Sequence, residues 1–508
     1  MVRLVGFVGL AAAVGLGAWF VFRATPGTSA AGAEATPEQV HALCAACHAY
    51  PPPESFPRAA WRKEVQQGYD FLHAATPARP GPHPSQESVV RYYEARAPLE
   101  LPRPRPENAP GDAPVRFARQ GFRPANGRPD PWVSNVNLVH LSDPKRLDVL
   151  CCDMRLCQVS VLRPYEANPT WRVLDVQPNP ALAEVVDLDG DGRRDVLVAC
   201  LGTFYPSDDR NGRVVWLRGG ADGTFTPVPL LKDVGRVADV QAADFNGDGK
   251  LDLVVAVFGW RTVGEVLYLE NRTQDWANPV FVPHTVDPRH GAIHVPVCDL
   301  NADGKPDFVA LFSQEHETIV AFLNEGGGRF RQETIHAAPH PAYGSSGIQL
   351  TDLNGDGRLD VLYTNGDSFD SAALHPDHGV QWLENRGTYP FAHHPLTDLA
   401  GAHRAVAADL DGDGRQDVVA VSFLPKDLPD RDKLGLDSVV LLRQTAPGQF
   451  ARHSLEAGAY DHVTCAVGDL MGDGRMHLVT GNSYFRQPPP GADAITIWRN
   501  VTPGKTGP

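Results

Sequence analysis

A nine-residue pattern, D-x-[DN]-x-D-G-x-x-D, occurs five times in this chain, with its last Asp at 195, 252, 307, 360 and 417. Each copy lies between short apolar runs of strand length, four runs to a unit. A period of this size built from four strands is the signature of propeller blades. Two weaker markers extend the series, one at Asp148 and one at His477, giving seven. The predicted class is mainly β: a seven-bladed β-propeller, preceded by a small all-α domain and an N-terminal membrane anchor or signal. The expected divisions are 1–30 for the signal or anchor, 36–98 for the helical domain, 99–114 for a linker and 115–508 for the propeller.

The N-terminus has Arg3, an uncharged stretch from Leu4 to Phe22, and then Arg23. That stretch is long enough to span a hydrocarbon core of about 30 Å. Thr28-Ser29-Ala30 also offers a small-residue cleavage site. Anchor and cleaved signal both remain open, the anchor favoured. Either sends the body out, to the periplasmic or cell-surface side, with the inner membrane as a partner of the N-terminal segment.

Thr36-Pro37-Glu38-Gln39 opens a helix with a capping residue and Pro at its first position. This helix is expected to carry Cys44-Ala45-Ala46-Cys47-His48 on its run to Tyr50, where Pro51-Pro52-Pro53 stops it. C-x-x-C-H is the attachment signature of a c-type haem. Two thiols three positions apart reach two vinyl groups, and the adjacent imidazole falls under the iron. A zinc half-site would want a second ligand pair nearby, and a redox dithiol would want a βαβ setting; neither is present. Further helices are expected from about Arg58 to His73 and from about Ser85 to Arg96. No methionine lies between Met1 and Met154, so the usual Met axial ligand is missing. His73 is the first choice for the sixth position; His83 and a five-coordinate iron are the alternatives. The segment from Leu99 to Pro114 alternates Pro with charged and small residues, which predicts a semi-rigid extended linker.

The Asp loops predict calcium. Side-chain oxygens at positions 1, 3 and 5, a backbone carbonyl at 7 and Asp at 9 can encircle one hard cation, with Gly at 6 for the sharp turn. The five sets are Asp187, Asp189, Asp191, Arg193 and Asp195; Asp244, Asn246, Asp248, Lys250 and Asp252; Asp299, Asn301, Asp303, Lys305 and Asp307; Asp352, Asn354, Asp356, Arg358 and Asp360; and Asp409, Asp411, Asp413, Arg415 and Asp417. An all-oxygen set favours Ca²⁺ over transition metals. A sixth copy at Asp469 has Met471 and His477 where oxygens should be, and is expected to hold no calcium. The formal net charge is −15, of which five Ca²⁺ would offset ten charges; this acidity argues against a nucleic-acid partner.

Eight cysteines in 508 residues are no disulfide scaffold. Two belong to the haem motif. Cys152 and Cys157 either close a hairpin or, like Cys151, pack as small apolar side chains; Cys200, Cys298 and Cys465 read as core. The seventh unit has room for three strands only, and Val115–Phe122 resembles the outer strands elsewhere, so it is expected to complete that blade.

At these residues the chain resembles a known group. The Asp loops, over about Val133 to Asn500, look like the FG-GAP or VCBS repeats of integrin-α-like propellers. The head resembles the planctomycete-type cytochrome c domain often fused to them, through Cys44-Ala-Ala-Cys-His48, Trp61 and Tyr92-Tyr93-Glu94-Ala95-Arg96-Ala97-Pro98. The resemblance implies architecture and cation binding more than a reaction.

The loops opposite the Asp loops gather polar chemistry. Those leading into the blades carry Arg236, His290, His294, Tyr343, Ser345, His403, Tyr460 and His462, with His340 nearby. Those between second and third strands carry Asp208, Arg210, Trp260, Arg261, Gln314, Glu315, His316, Asp367, Asp370, His375 and His378. Such convergence is a default site. The expected function is an exported c-type haem electron-transfer protein whose calcium-stabilised propeller binds a substrate or a redox partner protein. One alternative is a periplasmic dehydrogenase whose propeller face oxidises a small molecule and passes electrons to the haem. The other is a non-redox adhesion propeller with a haem sensor head.

Overall fold

The second strand of every blade is buried at every residue: Asp148–Asp153, Asp195–Cys200, Asp252–Val257, Asp307–Phe312, Asp360–Asn365, Asp417–Ser422 and His477–Asn482. Strands with both faces covered read as near-continuous Val, Leu and Ala, as these do. Both faces are covered because each blade packs between two others. Leu188, Leu197, Val214 and Trp216 of the second blade, for example, form one core with Val237, Leu253 and Leu267 of the third.

The computed structural model describes residues 32–75, 83–104, 113–124, 130–369, 373–484 and 491–503. It holds seven antiparallel sheets arranged as blades. The first six have their strands in chain order, beginning at Val133, Pro180, Val237, Ala292, Ser345 and Ala402. The seventh has Phe117–Phe122 outside Ile495–Asn500, then His477–Asn482 and His462–Gly468. The pairing runs Phe117 to Asn500 through Phe122 to Ile495. The strand expected to close the ring is thus the outer strand of that blade, with the Arg119 guanidinium 4.6 Å above the Trp498 ring. The fourth blade's inner strand is split into Ala292–His294 and Val297–Cys298, because Pro296 between them has no N–H for the ladder.

Around the channel, neighbouring inner strands are stitched together by side chains. Asn137 donates to Ala183 O (2.7 Å), Glu184 accepts from Ala242 N (3.2 Å), and Asp239 accepts from Val295 N (2.9 Å). Ser345 N of the fifth blade donates to Glu317 (2.8 Å) beside the fourth, Ser346 donates to Ala402 O (2.8 Å), His403 Nδ1 to Val463 O (2.8 Å), and Ser483 to Val133 O (3.0 Å), which completes the circuit.

The head has three helices, α1 (Pro37–Cys44), α2 (Trp61–Ala75) and α3 (Gln86–Arg96). Thr36 and Gln39 form a capping box at α1, and Ser85 caps α3. The first helix is shorter than expected. It ends at Cys44 with Ala45 as its cap, so Cys47 and His48 lie in the following turns rather than on a helix to Tyr50. Trp61 stacks on Tyr93 with ring centroids 3.7 Å apart, at the centre of a core that also takes in Val40, Tyr69 and Val90. The N-terminal apolar stretch lies outside the described residues; among those described, no helix is long and apolar enough to cross a membrane.

The head rests on the propeller. The Phe56 ring meets His375 edge-on at 5.7 Å, and Arg261 lies 4.9 Å from the Phe71 ring and 4.1 Å from Trp260. The linker follows the same surface: Pro102, Arg103 and Pro104 help to line a cavity of about 350 Å³ together with His375, His378, Asp437 and Arg452. All eight cysteines are free thiols. The strand ladder turns Cys151 and Cys152 into two different cores, and Cys157 Sγ points to Met154 O at 3.8 Å, so the possible Cys152–Cys157 bridge is not formed.

Candidate functional site

Cys44 is half-buried and Cys47 exposed at the C-terminal end of α1. Burial pushes the Cys44 thiol up, with a hydrogen bond from Tyr93 acting the other way. His48 Nδ1 is 2.7 Å from Ala49 O; a carbonyl only accepts, so Nδ1 carries the proton and Nε2 keeps its lone pair. That is the tautomer a metal-ligating histidine needs. His83 has the same arrangement, Nδ1 to Pro84 O at 3.0 Å. Its ring lies 6.4 Å from that of His73, and both flank Tyr69. Burial, and then the Cys44 thiol, push the Tyr69 hydroxyl up to about 12. Two free thiols, a correctly tautomerised imidazole and two further imidazoles fit a covalently held haem.

The five Asp loops share one geometry. The position 1 carboxylate accepts the N–H of Gly at position 6, at 3.0 Å for Asp187, 2.9 Å for Asp244, Asp299 and Asp409, and 2.8 Å for Asp352. That Gly has φ between 83° and 88° in all five, a backbone that a Cβ would strain. The position 9 carboxylate is fully buried and works as a strand staple. Its Oδ1 accepts the N–H of Gly219, Asn271, Asn324, Asn385 or Gln444 at 2.7 to 2.9 Å. Its Oδ2 accepts from Leu188, Leu300, Leu353 or Leu410 in four loops, and from the Tyr268 hydroxyl in the other. Basic side chains at position 7 reach the end of the third strand or the residues just after it: Arg193 to Gly219 O, Lys250 to Thr273 O, Arg358 to Asn385 O and Arg415 to Gln444 O, while Lys305 pairs with Asp303 at 2.8 Å.

Two loops bring three carboxylates together. Donor atoms of Asp187, Asp189 and Asp195 lie within 4.8 Å of one another, as do those of Asp409, Asp411 and Asp417. Asp187 Oδ1 and Asp411 Oδ1 are buried with no hydrogen-bond partner, a costly state for a carboxylate oxygen unless a cation meets it. These two loops have Asp at position 3, and each has an arginine against it: Arg218 on Asp189 at 2.6 Å and Arg443 on Asp411 at 2.7 Å. Where position 3 is Asn246 or Asn354, the equivalent strand position is Glu270 or Glu384. The fifth loop, with Asn301 at position 3, has the uncharged Leu323 there.

The polar residues of the opposite face do not form one site. His462 is a buried latch between Asn482 (2.8 Å) and Glu456 (2.7 Å). Tyr460 accepts the Leu436 N–H at 2.7 Å. Asp208 accepts three N–H groups from 261–263, which together with its side-chain partner hold its carboxyl below the usual range against the effect of burial. His294 faces Asp239 at 3.7 Å in the channel, and His403 is in the channel wall. Arg236 is buried and lies 5.2 Å from the Phe258 ring; Arg210 is exposed. His340, His375 and His378 gather around Asp377, with His340 Nε2 3.1 Å from it, under the head. His290, Glu315 and His316 form a separate group. Tyr343 is buried beside His340, and Ser345 binds the buried Glu317, a residue the sequence reading missed because a carboxylate within a polar loop looks solvated. Asp370 lies outside the described residues.

These features define a seven-bladed β-propeller that carries FG-GAP-like repeats. The FG-GAP-like repeat model matches residues 187–255 and 299–363, each match running from one Asp loop to just past the next. No curated protein matches the chain. Among solved structures, the crystal structure of BBS1N in complex with ARL6DN, soaked with lead, aligns with TM-score 0.43 and 9% identity, over 76% of this chain and 96% of that one.

Proposed function

We propose that the chain is an exported c-type haem electron-transfer protein whose calcium-stabilised propeller binds a substrate or redox partner on the face beneath the head. The observation that carries this is Cys44-Ala-Ala-Cys47-His48 on a helical head that rests, through Phe56 and Phe71, on His375 and Arg261 of the propeller. Cys44 and Cys47 would hold the porphyrin as thioethers, His48 Nε2 would ligate the iron, and His73 or His83 would supply a sixth ligand. Haem held there supplies a one-electron redox centre. The propeller's part is to bind and to exclude water. Aromatic rings at the contact shorten the through-space gap between the head and whatever occupies the face. Calcium in the five Asp loops would tie the first and second strands of those blades on the far side, leaving this face free to bind.

A second reading rests on the cavity of about 350 Å³ between the linker and the propeller. Its volume suits a small molecule, and the His378 ring lining it is buried with neither nitrogen hydrogen-bonded. In that reading the face oxidises a small molecule and hands electrons to the head. One experiment addresses both. The full chain is produced in a host with c-type maturation, its pyridine haemochrome spectrum recorded, and haem reduction followed on adding sugars, alcohols or amines. Covalent haem without reduction supports the carrier, and reduction supports the dehydrogenase. Absence of covalent haem defeats both.

A further inference from the structure

Away from the Asp loops, on the head-facing side of the fourth blade, three side chains with metal-ligating atoms meet. His290 lies in the loop leading into the inner strand, and Glu315 and His316 lie in the turn between Asp307–Phe312 and Thr318–Gly326. One donor atom from each falls within 4.8 Å of the other two. His290 Nε2 is 3.0 Å from Glu315 Oε1, yet the contact lacks hydrogen-bond direction. His316 Nε2 is buried with no hydrogen-bond partner, and the two imidazole rings are 5.0 Å apart between centroids. Three ligand atoms this close together can share one cation, and the buried His316 nitrogen left without a partner is otherwise costly.

The backbone around the group is braced as a ligand site needs. Gly291 N donates to Phe258 O, and Ser313 N to Gly291 O, both at 2.8 Å, tying the His290 loop to the start of the other turn. On the far side, the buried Glu317 carboxylate accepts Ser345 N at 2.8 Å and Gly344 N at 3.3 Å from the next blade. Gln314 (φ 58°) and Glu317 (φ 42°), which bracket Glu315-His316, are both non-glycine residues in the left-handed region. Such strain persists only where the surroundings over-determine it. The site is also at the seam with the head: a Cβ at Gly264 would come within 2.6 Å of His290 Cβ, and the same loop carries the Arg261 that lies on Phe71.

We propose that His290, Glu315 and His316 bind one divalent transition-metal ion of the zinc type. Two imidazoles and a carboxylate suit zinc and its first-row neighbours, whereas calcium takes oxygen ligands, so this site and the Asp loops select different metals. Three protein ligands leave a coordination position for water or a bound molecule. The other mixed group, Asp469, Asp473 and His477, has one imidazole only, and its Nδ1 is already engaged by Asn500 N. The proposal is independent of whether the head carries haem.

The test is equilibrium dialysis of the calcium-saturated full chain against micromolar Zn²⁺, followed by elemental analysis, for the wild type and for Glu315→Gln, His316→Ala and His477→Ala. Wild type and His477→Ala should bind one zinc more than the other two, whose affinity falls by at least about tenfold. Zinc X-ray absorption on the wild type should read two imidazoles. Should His316→Ala unfold, Glu315→Gln, on a turn with exposed side-chain surface, and the wild-type spectrum still decide. Equal zinc in wild type and Glu315→Gln, or fewer than two imidazoles on the metal, overturns the assignment.

Discussion

His477 Nδ1 accepts the N–H of Asn500 at 3.0 Å, in the place where Asp195 accepts that of Gly219 at 2.7 Å. The last position of the repeat is therefore conserved in task where it is lost in chemistry: it joins the start of the second strand to the end of the third. Asp148 does related work in the first blade, accepting Ser142 N at 2.6 Å and the Tyr165 hydroxyl at 2.7 Å. The staple needs only an acceptor. A cation needs a set of oxygens, and the two requirements separate in the outermost units of the series.

That separation can be measured. Asp252→Ala removes the acceptor for Asn271 N and the Tyr268 hydroxyl and should cost about 2–4 kcal/mol, since each buried group left unpaired costs about 1–3 kcal/mol. Most of that loss should persist in chelator in urea unfolding, with a further loss in calcium because Asp252 is also one of the loop's proposed ligands. Asp248→Ala, at an exposed position 5, should cost stability in calcium and almost none in chelator. An Asp252→Ala protein as stable as Asp248→Ala in chelator would remove the staple argument.

Chelation should lower the melting temperature of the whole protein. A ligand bound only to the native state adds RT ln(1 + [L]/Kd), about 2.7 kcal/mol per site at a hundredfold excess over Kd. Calorimetry with and without EDTA reads this directly, and an unchanged melt would reduce the Asp loops to turns.

For the head, Cys44→Ser or Cys47→Ser should leave at most one thioether and shift the haemochrome band, and His48→Ala should abolish stable low-spin haem. A His48→Ala protein with the wild-type spectrum would assign the proximal ligand elsewhere.

Ring closure predicts an asymmetry between truncations. Removing residues 1–114 should leave a cooperative propeller melt. Removing 1–125 should also bare the edge of Ile495–Asn500, because the six residue pairs from Phe117–Asn500 to Phe122–Ile495 are lost; a lower melting temperature and aggregation are expected. Equal melts for both truncations would mean that the outer strand contributes nothing.

The channel should impose a pH dependence. Burial, and then the charge of Asp239, push the Glu184 carboxyl up to about 8, while the Ala242 N–H acts in the opposite sense. Between its ordinary value near 4.5 and about 8 the native state holds a proton that the unfolded chain has lost. Stability from this group is thus complete below the lower value, falls as pH rises through the window, and is flat above it. Each pH unit of that window is worth about 1.4 kcal/mol. Glu184→Gln keeps an acceptor for Ala242 N and should flatten the slope, making the variant more stable than wild type at pH 8–9. A variant with the wild-type slope in urea titrations across pH 5–9 would assign the dependence to another group.

The repeat period, the strand count, the Asp turns and the outer strand at Phe117–Phe122 were legible in the sequence because each depends on neighbours within a few residues, or on a pattern that recurs. Gly192 and its four counterparts announce their turn by being glycine. What escaped the sequence depends on contacts through space. Asn324 reaches Phe245 O, Gln444 reaches Leu353 O and Asn500 reaches Leu410 O, each latching one blade to the Asp loop of the preceding one; nothing local marks them. The histidines of the opposite face looked alike as loop residues. Tertiary structure alone made His462 a latch and His403 part of the channel wall, and brought ligand atoms of His290, Glu315 and His316 within 4.8 Å of one another. It also laid Phe56 and Phe71 of the head on that face. Periodicity determined the ring, because backbone hydrogen bonding and alternation are local rules. Closing the ring decided the sites, because only that brings side chains from different loops within ligand distance.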